Sequence, residues 1–589
     1  MLGISCYFHD AAAVLLQDGR LVAAAEEERF TRKKHAFEFP YNSIRFCLAQ
    51  GNVNGKDLDY VVFFEKPFTK FVRVLRTCLQ GFPRTYRLFL QSMRTWLSDK
   101  LWVKSLIAKS VGVEPNRILF SEHHLSHAAS SYFCSPFEES AILTFDGVGE
   151  WSTTTMGVGK GIDLTLTKEL HFPHSIGLLY SAFTAFLGFE VNEGEYKVMG
   201  MAPYGSPKYT DEVWKIVLQN DDGTYWLDPE YFSFHYSTKT SYSRKFIDLF
   251  GEPRTPELPF FTETSEYPLY YGERPRNFKE LCHYNQRFAD IAASIQEVTE
   301  ELILSLVRQI HRESGLTSLC LAGGVALNSL ANGRILRETP FEELYVQPSA
   351  GDGGGALGAA QVAWHCALGN SERFVMDHVY WGQSYQPDEI RSTIEASGLP
   401  KELINDESRL VDLAVDRLLA GKVVGWFQGR FEWGPRALGN RSILADPRRA
   451  DMKDIVNNKI KFREPFRPFA PSVLSEAAGQ YFELPTPVCP VPANFMLLVV
   501  PVRPDMGGTI PAVDHLGTAR IQTVRRDHNP LYYDLIHRFG EASGVPVVLN
   551  TSFNLRGEPI VNSPSDALNT FADSGIDTLV MGNYLIDKR

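Results

Sequence analysis

Apolar runs of strand length alternate with amphipathic stretches along the first 370 residues, a pattern typical of an α/β domain. The chain begins with three apolar segments, and the Asp18–Gly19 turn between the second and third predicts a β-hairpin. Strands are predicted at Leu2–Tyr7, Ala12–Leu16, Leu21–Ala25, Leu58–Phe64, Arg117–Phe120, Ala141–Phe145 and Leu319–Ala322. Apolar residues at helical spacing from Phe288 to Ile310 predict a long amphipathic helix.

A second domain is predicted after the Ala/Gly-rich helix Ala356–Leu368. At 589 residues the chain is too long for one core, and we place the boundary between residues 370 and 371. Val423–Phe427 and Val545–Leu549 are the clearest strands of a mixed α/β domain that extends to residue 589. Residues 205–285, rich in Tyr, Phe and Pro, predict an insertion that either lines an acceptor pocket or is a surface excursion. The sequence shows no internal repeat.

The composition is that of an ordinary globular protein, with 44% hydrophobic and 22% charged residues. A formal net charge of -11 and a pI near 5.8 argue against a dedicated nucleic-acid binder. The first residues include Asp10 and Asp18 and lack a basic signal region, and no apolar run reaches the roughly 20 residues of a membrane span. The 8 scattered cysteines form no CxxC pair, which predicts reduced thiols. We therefore expect a cytoplasmic protein with no nucleic-acid and no membrane partner.

The segment Arg430–Ala470 is a basic island in this acidic chain, with ten Arg or Lys against five Asp or Glu. Gly, Pro, Asn and aromatic residues separate its charges, which favours guanidinium forks aimed at one small polyanion. The alternative is a solvated surface held by salt bridges. Further along, Asn550–Gly557 follows a predicted strand, and its amides and hydroxyls suit phosphate, carbamoyl or base recognition, or a plain polar turn. Arg520 supplies another candidate cation.

A candidate metal site lies in the first domain. His123 and His127, four residues apart after a predicted strand, share one face if the segment is helical, although such pairs are often structural. Asp352 stands among four glycines at the start of a helix, either as a ligand or as a helix cap. Two His and one Asp would leave open positions on iron or another divalent ion.

Two Gly-containing loops follow strands in the same domain and are candidate phosphate binders. One is Asp146–Gly147 and the other runs from Gly323–Gly324 to Asn328. Backbone N–H groups at such turns cradle phosphates, although each loop alone is weak as an indicator. Together with the amino-terminal hairpin, the pair is similar to the actin and sugar-kinase fold.

Longer motifs then identify a family. In chain order they are His9-Asp10, EERF from Glu27, HHLSH from His123, EYKVMGMAPYG from Glu195, GGVALN from Gly323, GDGGG from Gly351, FEWGPRALGNRSILADPR from Phe431, KFREPFRPFAPSV from Lys461 and NTSFNLRGEPIV from Asn550. The chain resembles, over nearly its whole length, the O-carbamoyltransferases typified by nodulation protein U and the cephamycin and tobramycin carbamoyltransferases.

That resemblance implies two fused enzymes. The first domain is expected to be actin-like, similar to the tRNA threonylcarbamoyl-transferase, with a divalent metal that is expected to be Fe(II). The second is expected to be YrdC-like and to make carbamoyl-adenylate from carbamoyl phosphate and ATP with Mg²⁺. The first domain would then transfer the carbamoyl group to a hydroxyl of a small acceptor, an antibiotic, another natural product or a sugar. A homodimer is left open.

The resemblance also implies roles for particular residues. His123, His127 and Asp352 match the metal ligands, and His9 is the candidate base for the acceptor hydroxyl, with Asp10 beside it. The amino-terminal nucleotide site is expected at Asp146, Gly147, Lys197, Gly323, Gly324 and Asn328. The first choices for carbamoyl phosphate and the ATP phosphates are Lys459, Arg463, Arg520, Arg556, Ser552 and Asn554. The second choices are Arg436, Arg441, Lys461 and Arg467.

Two other functions stay open on the residues alone. An actin-like kinase or ATPase needs only the two phosphate loops, and a regulatory nucleotide-binding protein needs no turnover. The second, Arg-rich site argues against a kinase, which does not need it. The His/Asp triad argues against a purely regulatory protein. The sequence does not name the acceptor.

Overall fold

The computed structural model describes residues 1–98, 100–256, 258–265 and 267–588. The chain divides into two compact units, and each is described by itself. The first unit comprises residues 1–27, 37–266 and 275–375, and the second comprises residues 28–36, 267–274 and 376–589. The main division at 375/376 lies close to the predicted 370/371. The two short excursions were not predicted, because sequence patterning reports local structure and not long-range packing.

The first unit contains two five-stranded sheets and a small hairpin. Its strands are β1 (Leu2–Ser5), β2 (Ala12–Gln17), β3 (Arg20–Glu26), β4 (Val61–Phe63), β5 (Ile118–Phe120), β6 (Glu139–Phe145), β7 (Ser152–Lys160), β8 (Asp163–His171), β9 (Val217–Gln219), β10 (Tyr225–Leu227), β11 (Ser318–Ala322) and β12 (Glu343–Val346). The predicted strands are all present, and β9 and β10 form the hairpin.

The two large sheets have the same topology. The first runs β3-β2-β1-β4-β5 and the second β12-β11-β6-β7-β8. In each, the first three strands in sequence form an antiparallel meander, and two later strands add in parallel beside its first strand. This duplication corrects the expectation of no internal repeat, because it repeats a topology without repeating residues. It confirms the predicted actin and sugar-kinase-like fold of the first domain.

Helices cover and connect these sheets. Those of the first unit are Tyr41–Gln50, Pro67–Gln80, Tyr86–Ser98, Val103–Ile107, His123–Tyr132, Ile176–Phe186, Glu195–Met201, Thr210–Ile216, Arg244–Phe250, Phe278–Ser314, Ser329–Glu338 and Asp352–Gln361. The predicted amphipathic helix is present and longer than expected. It begins at Phe278 and ends at Gly315, whose left-handed conformation stops it.

The helix Asp352–Gln361 lies close against its neighbours because its glycines remove side chains where backbones meet. A Cβ on Gly358 would stand 1.7 Å from the carbonyl oxygen of Ser126, in the helix His123–Tyr132. On the strand side, a Cβ on Gly3 of β1 would stand 1.8 Å from the carbonyl oxygen of Ala356. Both contacts therefore require glycine, and together they set the position of Asp352 at the start of the helix.

The predicted insertion has an aromatic core of its own. Phe246 of the helix Arg244–Phe250 lies 4.9 Å from Phe183 and 5.2 Å from Phe186, both on the helix Ile176–Phe186, between ring centroids. This packing ties the insertion to the first unit. Residues 267–274, within the predicted insertion, instead belong to the second unit.

The second unit is built on a mixed sheet of eight strands in the order β13-β22-β21-β14-β15-β20-β16-β19, with a separate pair β17-β18. These strands are β13 (Glu402–Leu403), β14 (Val424–Phe427), β15 (Arg441–Ala445), β16 (Ala470–Leu474), β17 (Val499–Pro501), β18 (Thr518–Arg520), β19 (Gln522–Val524), β20 (Val547–Ser552), β21 (Thr578–Met581) and β22 (Tyr584–Asp587). Its helices are Glu28–Thr31, Pro387–Ser397, Glu407–Leu419, Met452–Val456, Ala478–Tyr481, Pro530–Ser543 and Pro564–Asp573. The predicted mixed α/β class of this domain is confirmed.

The short segment 28–36 is bound into the second unit by arginines. Arg29 donates to the carbonyl oxygen of Gly434 at 2.9 Å, and Arg32 donates to that of Pro559 at 2.8 Å. The 8 cysteines all lie in the described chain and are free thiols. Among the described residues, no helix is both long and apolar enough to cross a bilayer.

We expect Gly358→Ala to destabilise the protein. The added Cβ would overlap a backbone oxygen that cannot rotate away, and overpacking of this kind costs about 1–3 kcal/mol, more than alanine gains in helix propensity. Gly508→Ala is the matched control, because a Cβ there meets nothing within 4 Å. Thermal unfolding of the two variants checks this expectation. Equal melting temperatures would mean that the two helices separate at little cost.

Candidate active site

The candidate site lies where parallel strands of the first unit end. β6, β11 and β12 are parallel, so Asp146, Gly323 and the loop that leads to Asp352 emerge at one edge of their sheet. The helix His123–Tyr132 starts just after β5, which is parallel to β4 and β1 in the other sheet. Ligand sites in open α/β sheets form at such carboxyl-terminal edges.

Two histidines and two aspartates form a buried cluster there. His123 Nε2 lies 3.1 Å from both Asp146 Oδ2 and His127 Nε2. Asp352 Oδ1 lies 3.6 Å from each of the two histidine Nε2 atoms. One ligand atom from each of the four residues lies within 4.8 Å of the others. The structure therefore brings together the three predicted ligands and adds Asp146, which the sequence analysis had assigned to a phosphate loop.

A second layer of polar groups fixes these side chains. The N–H of Gly324, in the other predicted phosphate loop, donates to Asp146 Oδ1 at 3.1 Å. The N–H of His123 donates to the Glu150 carboxylate at 3.1 Å. Glu65 lies 3.7 Å from His123 Nδ1 and pairs with Lys70 at 2.5 Å. Such outer contacts orient the ligands of metal sites.

The charges of the cluster stabilise one another. Burial alone would lower the pKa of His123, but the Asp352 carboxylate and hydrogen bonds to Asp146 and Glu65 raise it to about 10. Burial would raise the pKa of Asp146, but hydrogen bonds from His123 and His127 hold it well below its usual range. The carboxylates of Asp146 and Asp352 are therefore stabilised by nearby positive charge. Protonated imidazoles supply that charge when no cation is bound.

The residues fit a divalent metal ion. Both carboxylate oxygens of Asp352 are buried without a hydrogen-bond partner among the described residues, and its Oδ1 lies 3.6 Å from the Nε2 atoms of His123 and His127. Ligand atoms about 2.1 Å from one ion lie roughly 3–3.5 Å apart, close to the spacings seen here. Imidazole and carboxylate ligands suit iron, zinc and manganese, so the expected Fe(II) stays a prediction.

His9 and Asp10 lie in the loop after β1, near this cluster. His9 Nδ1 is 3.1 Å from Asp10 Oδ2, and the side chain of His9 is 20% exposed. Burial would lower the pKa of His9, but Asp10, through a hydrogen bond and its charge, and the charges of Asp352 and Asp146 raise it to about 9. The predicted base is therefore a largely buried histidine oriented by a carboxylate.

The other predicted nucleotide-binding residues of the first unit have varied settings. Gly147 lies beside the start of the helix Ile176–Phe186, where a Cβ on Gly177 would stand 2.9 Å from its N atom. Asn328 caps the helix Ser329–Glu338 by accepting from the N–H of Ala331. Lys197, on a separate helix, has its Nζ 5.5 Å from the centre of the Phe189 ring. Nucleotide binding by these residues stays a prediction.

In the second unit, two of the predicted motifs converge on Lys461. Its Nζ donates to the carbonyl oxygen of Ser552 at 2.6 Å and to Asn554 Oδ1 at 2.8 Å. Ser552 Oγ donates to the same Asn554 oxygen at 2.7 Å. Burial lowers the pKa of Lys461 well below its ordinary value, and the charges of Arg463 and Arg467 lower it further. Lys461 was a second choice among the predicted anion-binding residues. It lies directly against the loop that carries Ser552 and Asn554, which we call the Ser/Asn loop.

The first-choice cations are arranged differently. Lys459 Nζ pairs with Asp577 at 2.8 Å, away from the Ser/Asn loop contacts that Lys461 makes. Arg463 Nε donates to Asn457 Oδ1 at 3.2 Å, and its guanidinium lies 4.2 Å from the centre of the Phe469 ring. Arg556 Nη1 donates to the carbonyl oxygen of Phe462 at 2.9 Å, so its loop lies alongside the Lys461 segment.

The remaining predicted arginines lie around the loop that follows β14. Arg441 is fully buried and donates to the carbonyl oxygens of Gln428 and Asn440, which gives it a structural role in the fold. Arg436 is half-buried in the same loop, and Arg520 ends β18. Glu432, which the sequence analysis did not single out, accepts from the N–H groups of Leu438, Asn440 and Arg441 and so organises this loop. The ligand contacts of these arginines stay predictions.

Comparison with known families agrees with these two units. The model of the family described as carbamoyltransferase N-terminus matches residues 1–361, and that described as carbamoyltransferase C-terminus matches residues 415–588. These two matches, which together cover most of the chain, define a carbamoyl-transfer enzyme. The chain belongs to the carbamoyltransferase family, and the resemblance drawn from its motifs is confirmed.

Individual relatives match over most of their length. An uncharacterized protein of Synechocystis is 45% identical over 100% of this chain and 96% of its own length. Nodulation protein NolNO of Sinorhizobium fredii is 38% identical over 99% of this chain and 79% of its own. Nodulation protein U of Rhizobium tropici is 28% identical over 93% of this chain and 90% of its own.

Solved structures match the chain only distantly. Component A of the (R)-2-hydroxyglutaryl-CoA dehydratase of Acidaminococcus fermentans has a TM-score of 0.31 at 14% identity, covering 62% of this chain and 98% of its own. HypF of T. kodakarensis has a TM-score of 0.30 at 14% identity, covering 62% of this chain and 48% of its own. At these scores the two structures say nothing about the activity of this chain.

We expect Asp146→Asn to weaken divalent metal binding to the isolated protein by tenfold or more. Loss of even an outer-shell partner of a metal site typically costs 10–100-fold in affinity, and Asp146 contributes an oxygen to the cluster itself. Metal content after dialysis and titration calorimetry with Fe(II), Zn²⁺ and Mn²⁺ measure the effect. Asp59→Asn, at an exposed position, is the control. Unchanged affinity would return Asp146 to a purely structural role.

Proposed function

We propose that this carbamoyltransferase is ATP-dependent and works through carbamoyl-adenylate. The second unit forms the adenylate from carbamoyl phosphate, ATP and one water molecule, and releases pyrophosphate and phosphate. The first unit transfers the carbamoyl group to a hydroxyl of a small acceptor, a natural product or a sugar, and releases AMP. The observation that carries the proposal is that one chain contains two different charged sites. One is the buried His/Asp cluster of the first unit, and the other is a pair of basic loops in the second unit, one with Lys461 and Arg463 and one with Arg556, which we call the basic loop pair.

The basic loop pair suits adenylate formation. Carbamoyl phosphate and ATP are both polyanions, so their reaction needs fixed positive charge around the transferring groups. Lys461, Arg463 and Arg556 lie on two adjacent loops, and Ser552 and Asn554 add polar groups beside them. The oxygens around Lys461 come from carbonyl, amide and hydroxyl groups and carry no formal charge, so an anion bound beside Lys461 would stabilise its protonated form. Arg436 and Arg520 complete the proposed set, whereas Lys459 pairs with Asp577 and buried Arg441 donates to backbone carbonyl oxygens of its own loop.

The His/Asp cluster suits the transfer step. A divalent cation held by His123, His127, Asp146 and Asp352 would supply positive charge beside the adenylate phosphate and the leaving group. The loops at Gly147 and Gly324 would offer N–H groups to the nucleotide. These residues bind and orient the adenylate so that its carbamoyl carbon faces the acceptor hydroxyl.

His9 is the proposed base for that hydroxyl. An alcohol is a weak nucleophile at neutral pH, and a positioned imidazole accepts its proton as it attacks the carbamoyl carbon. The bond to Asp10 orients the His9 ring. Asp10 is the largest cause of the raised pKa of His9, and Asp352 and Asp146 add to it, so a cation bound by Asp352 and Asp146 would lower that pKa.

The two half-reactions are expected to separate in variants of the first unit. His123→Ala and His9→Asn should still form carbamoyl-adenylate, because neither residue belongs to the basic loop pair. Carbamoyl transfer should fall by about 10²–10⁴ in His9→Asn, the usual effect of losing a general base. Pyrophosphate release measures the first step, and single-turnover transfer from pre-formed carbamoyl-adenylate measures the second. Loss of pyrophosphate release in folded variants would contradict separate sites, and ADP as the product would indicate a kinase instead.

Lys461→Met is expected to slow adenylate formation more than Lys459→Met. Loss of a charge-assisted donor to the transferring phosphate costs about 2.7–4 kcal/mol, or 10²–10³ in rate, whereas Lys459 has Asp577 as a partner. The pKa of Lys461 is lowered, so it loses its proton at a lower pH than an ordinary lysine. Anion affinity should therefore weaken as the pH rises through this lowered pKa, and Lys461→Met should remove that dependence. A larger effect of Lys459→Met would identify Lys459 as the phosphate ligand.

A further inference from the structure

The helices Pro67–Gln80 and Tyr86–Ser98 form a hairpin whose charge is opposite to that of the whole chain. From Lys66 to Lys109 the sequence holds ten Lys or Arg and a single acidic residue, Asp99, in a chain of net charge -11. Six of these cations are exposed, namely Arg76, Arg84, Arg87, Arg94, Lys104 and Lys109. A patch of one charge sign on an acidic protein indicates an anionic partner.

The hairpin is fixed to the first unit at its base. The rings of Phe71, near the start of one helix, and Trp96, near the end of the other, lie 5.7 Å apart, so the helices run antiparallel. Lys70 pairs with buried Glu65 at 2.5 Å, and Lys100 Nζ donates to the carbonyl oxygen of Tyr7 at 2.6 Å. The base is thus held by buried polar contacts, and residues 81–85 connect the two helices at the other end.

Each helix of the hairpin leaves a row of large apolar side chains in solvent. The spacing of four and seven residues places each row on one helical face. The rows are Phe68, Val72 and Leu79 on the first helix and Tyr86, Leu90 and Leu97 on the second. Phe82 at the tip is 68% exposed, and Trp102 just beyond the second helix is 61% exposed. Apolar side chains concentrated in this way mark an interaction surface.

Five of the six exposed cations have no acidic partner among the described residues. Arg84, Arg87, Arg94, Lys104 and Lys109 form no ion pair with any residue in the part of the chain that the structure describes. Elsewhere on the surface, exposed arginines such as Arg244 and Arg525 pair with nearby aspartates. The patch therefore keeps its full positive charge for a partner.

We propose that this hairpin docks on the surface of an anionic lipid bilayer. Its apolar rows and aromatic tip would enter the boundary between headgroups and acyl chains, and the arginines and lysines would meet lipid phosphates. A second copy of the chain would present the same positive patch and be repelled. The helices, of 14 and 13 residues, are too short to span a bilayer, so they lie on it. Surface docking departs from the expectation of no membrane partner, which rested on the lack of an apolar run long enough to span a bilayer.

Co-sedimentation of the full chain with lipid vesicles tests the proposal. We expect binding to vesicles that mix phosphatidylglycerol with phosphatidylcholine, little binding to phosphatidylcholine alone, and weaker binding as salt rises. At about 1 kcal/mol per cation near the surface, reversal of three cations should reduce partitioning by roughly a hundredfold or more. The charge variant is Arg84→Glu/Arg87→Glu/Arg94→Glu. Its control reverses three exposed cations elsewhere, in Arg20→Glu/Lys56→Glu/Lys239→Glu.

A second pair of variants tests the apolar rows. Loss of three exposed apolar side chains should weaken binding by about tenfold or more, because their burial adds to the electrostatic attraction. The apolar variant is Leu79→Ser/Phe82→Ser/Leu90→Ser, and its control is Leu218→Ser/Leu403→Ser/Val488→Ser. All of these positions are exposed, so the variants should fold and release pyrophosphate as the wild type does.

Three results would overturn the proposal. The first is no binding of the wild type to anionic vesicles. The second is equal loss of binding in a hairpin variant and its control. The third is self-association of the wild type, measured by analytical ultracentrifugation, that the apolar variant abolishes, because the rows would then pair two copies of the chain.

Discussion

The candidate site depends on one steric constraint, the close approach of the helix Asp352–Gln361 to the helix His123–Tyr132. Gly358 allows it, since any Cβ there would occupy the space of the Ser126 carbonyl oxygen. The contact fixes the distance between the two helices, and thereby holds Asp352 3.6 Å from both histidine Nε2 atoms. Gly358, six residues beyond Asp352 in the same helix, therefore serves packing and so positions the aspartate.

Buried charge in the two units is balanced in different ways. In the first unit, two carboxylates and two imidazoles compensate one another, which leaves a site that gains from a cation. In the second, Lys461 is surrounded by carbonyl, amide and hydroxyl oxygens and by further cations, which leaves a site that gains from an anion. The first unit thus has a site that favours a bound cation, and the second unit has a site that favours a bound anion. In the proposed reaction the second site forms the adenylate and the first site then transfers the carbamoyl group.

Much of the first unit was predictable because its signals are local. Strand length, the Asp18–Gly19 turn and helical spacing gave its strands and its long helix, and His123 and His127 share a face because they are four residues apart. The repeat of the two sheets was missed, since topology can recur without any recurrence of residues. Asp146 was assigned to a phosphate loop because it precedes Gly147 in a turn after a strand, which is a phosphate-binding pattern. Its short distance to His123 depends on the fold and cannot be inferred from the sequence.

The sequence by itself determined the family, the fold class and the residue types of both sites, because long motifs and local periodicity survive without tertiary information. The tertiary structure decided which of those residues meet. In the folded protein Lys461 donates to the Ser/Asn loop, whereas Lys459 forms an ion pair with Asp577, although the two lysines are two residues apart in one short segment. The tertiary structure also joined residues 28–36 to the second unit. Both outcomes depend on packing between distant segments, whose geometry no local pattern encodes.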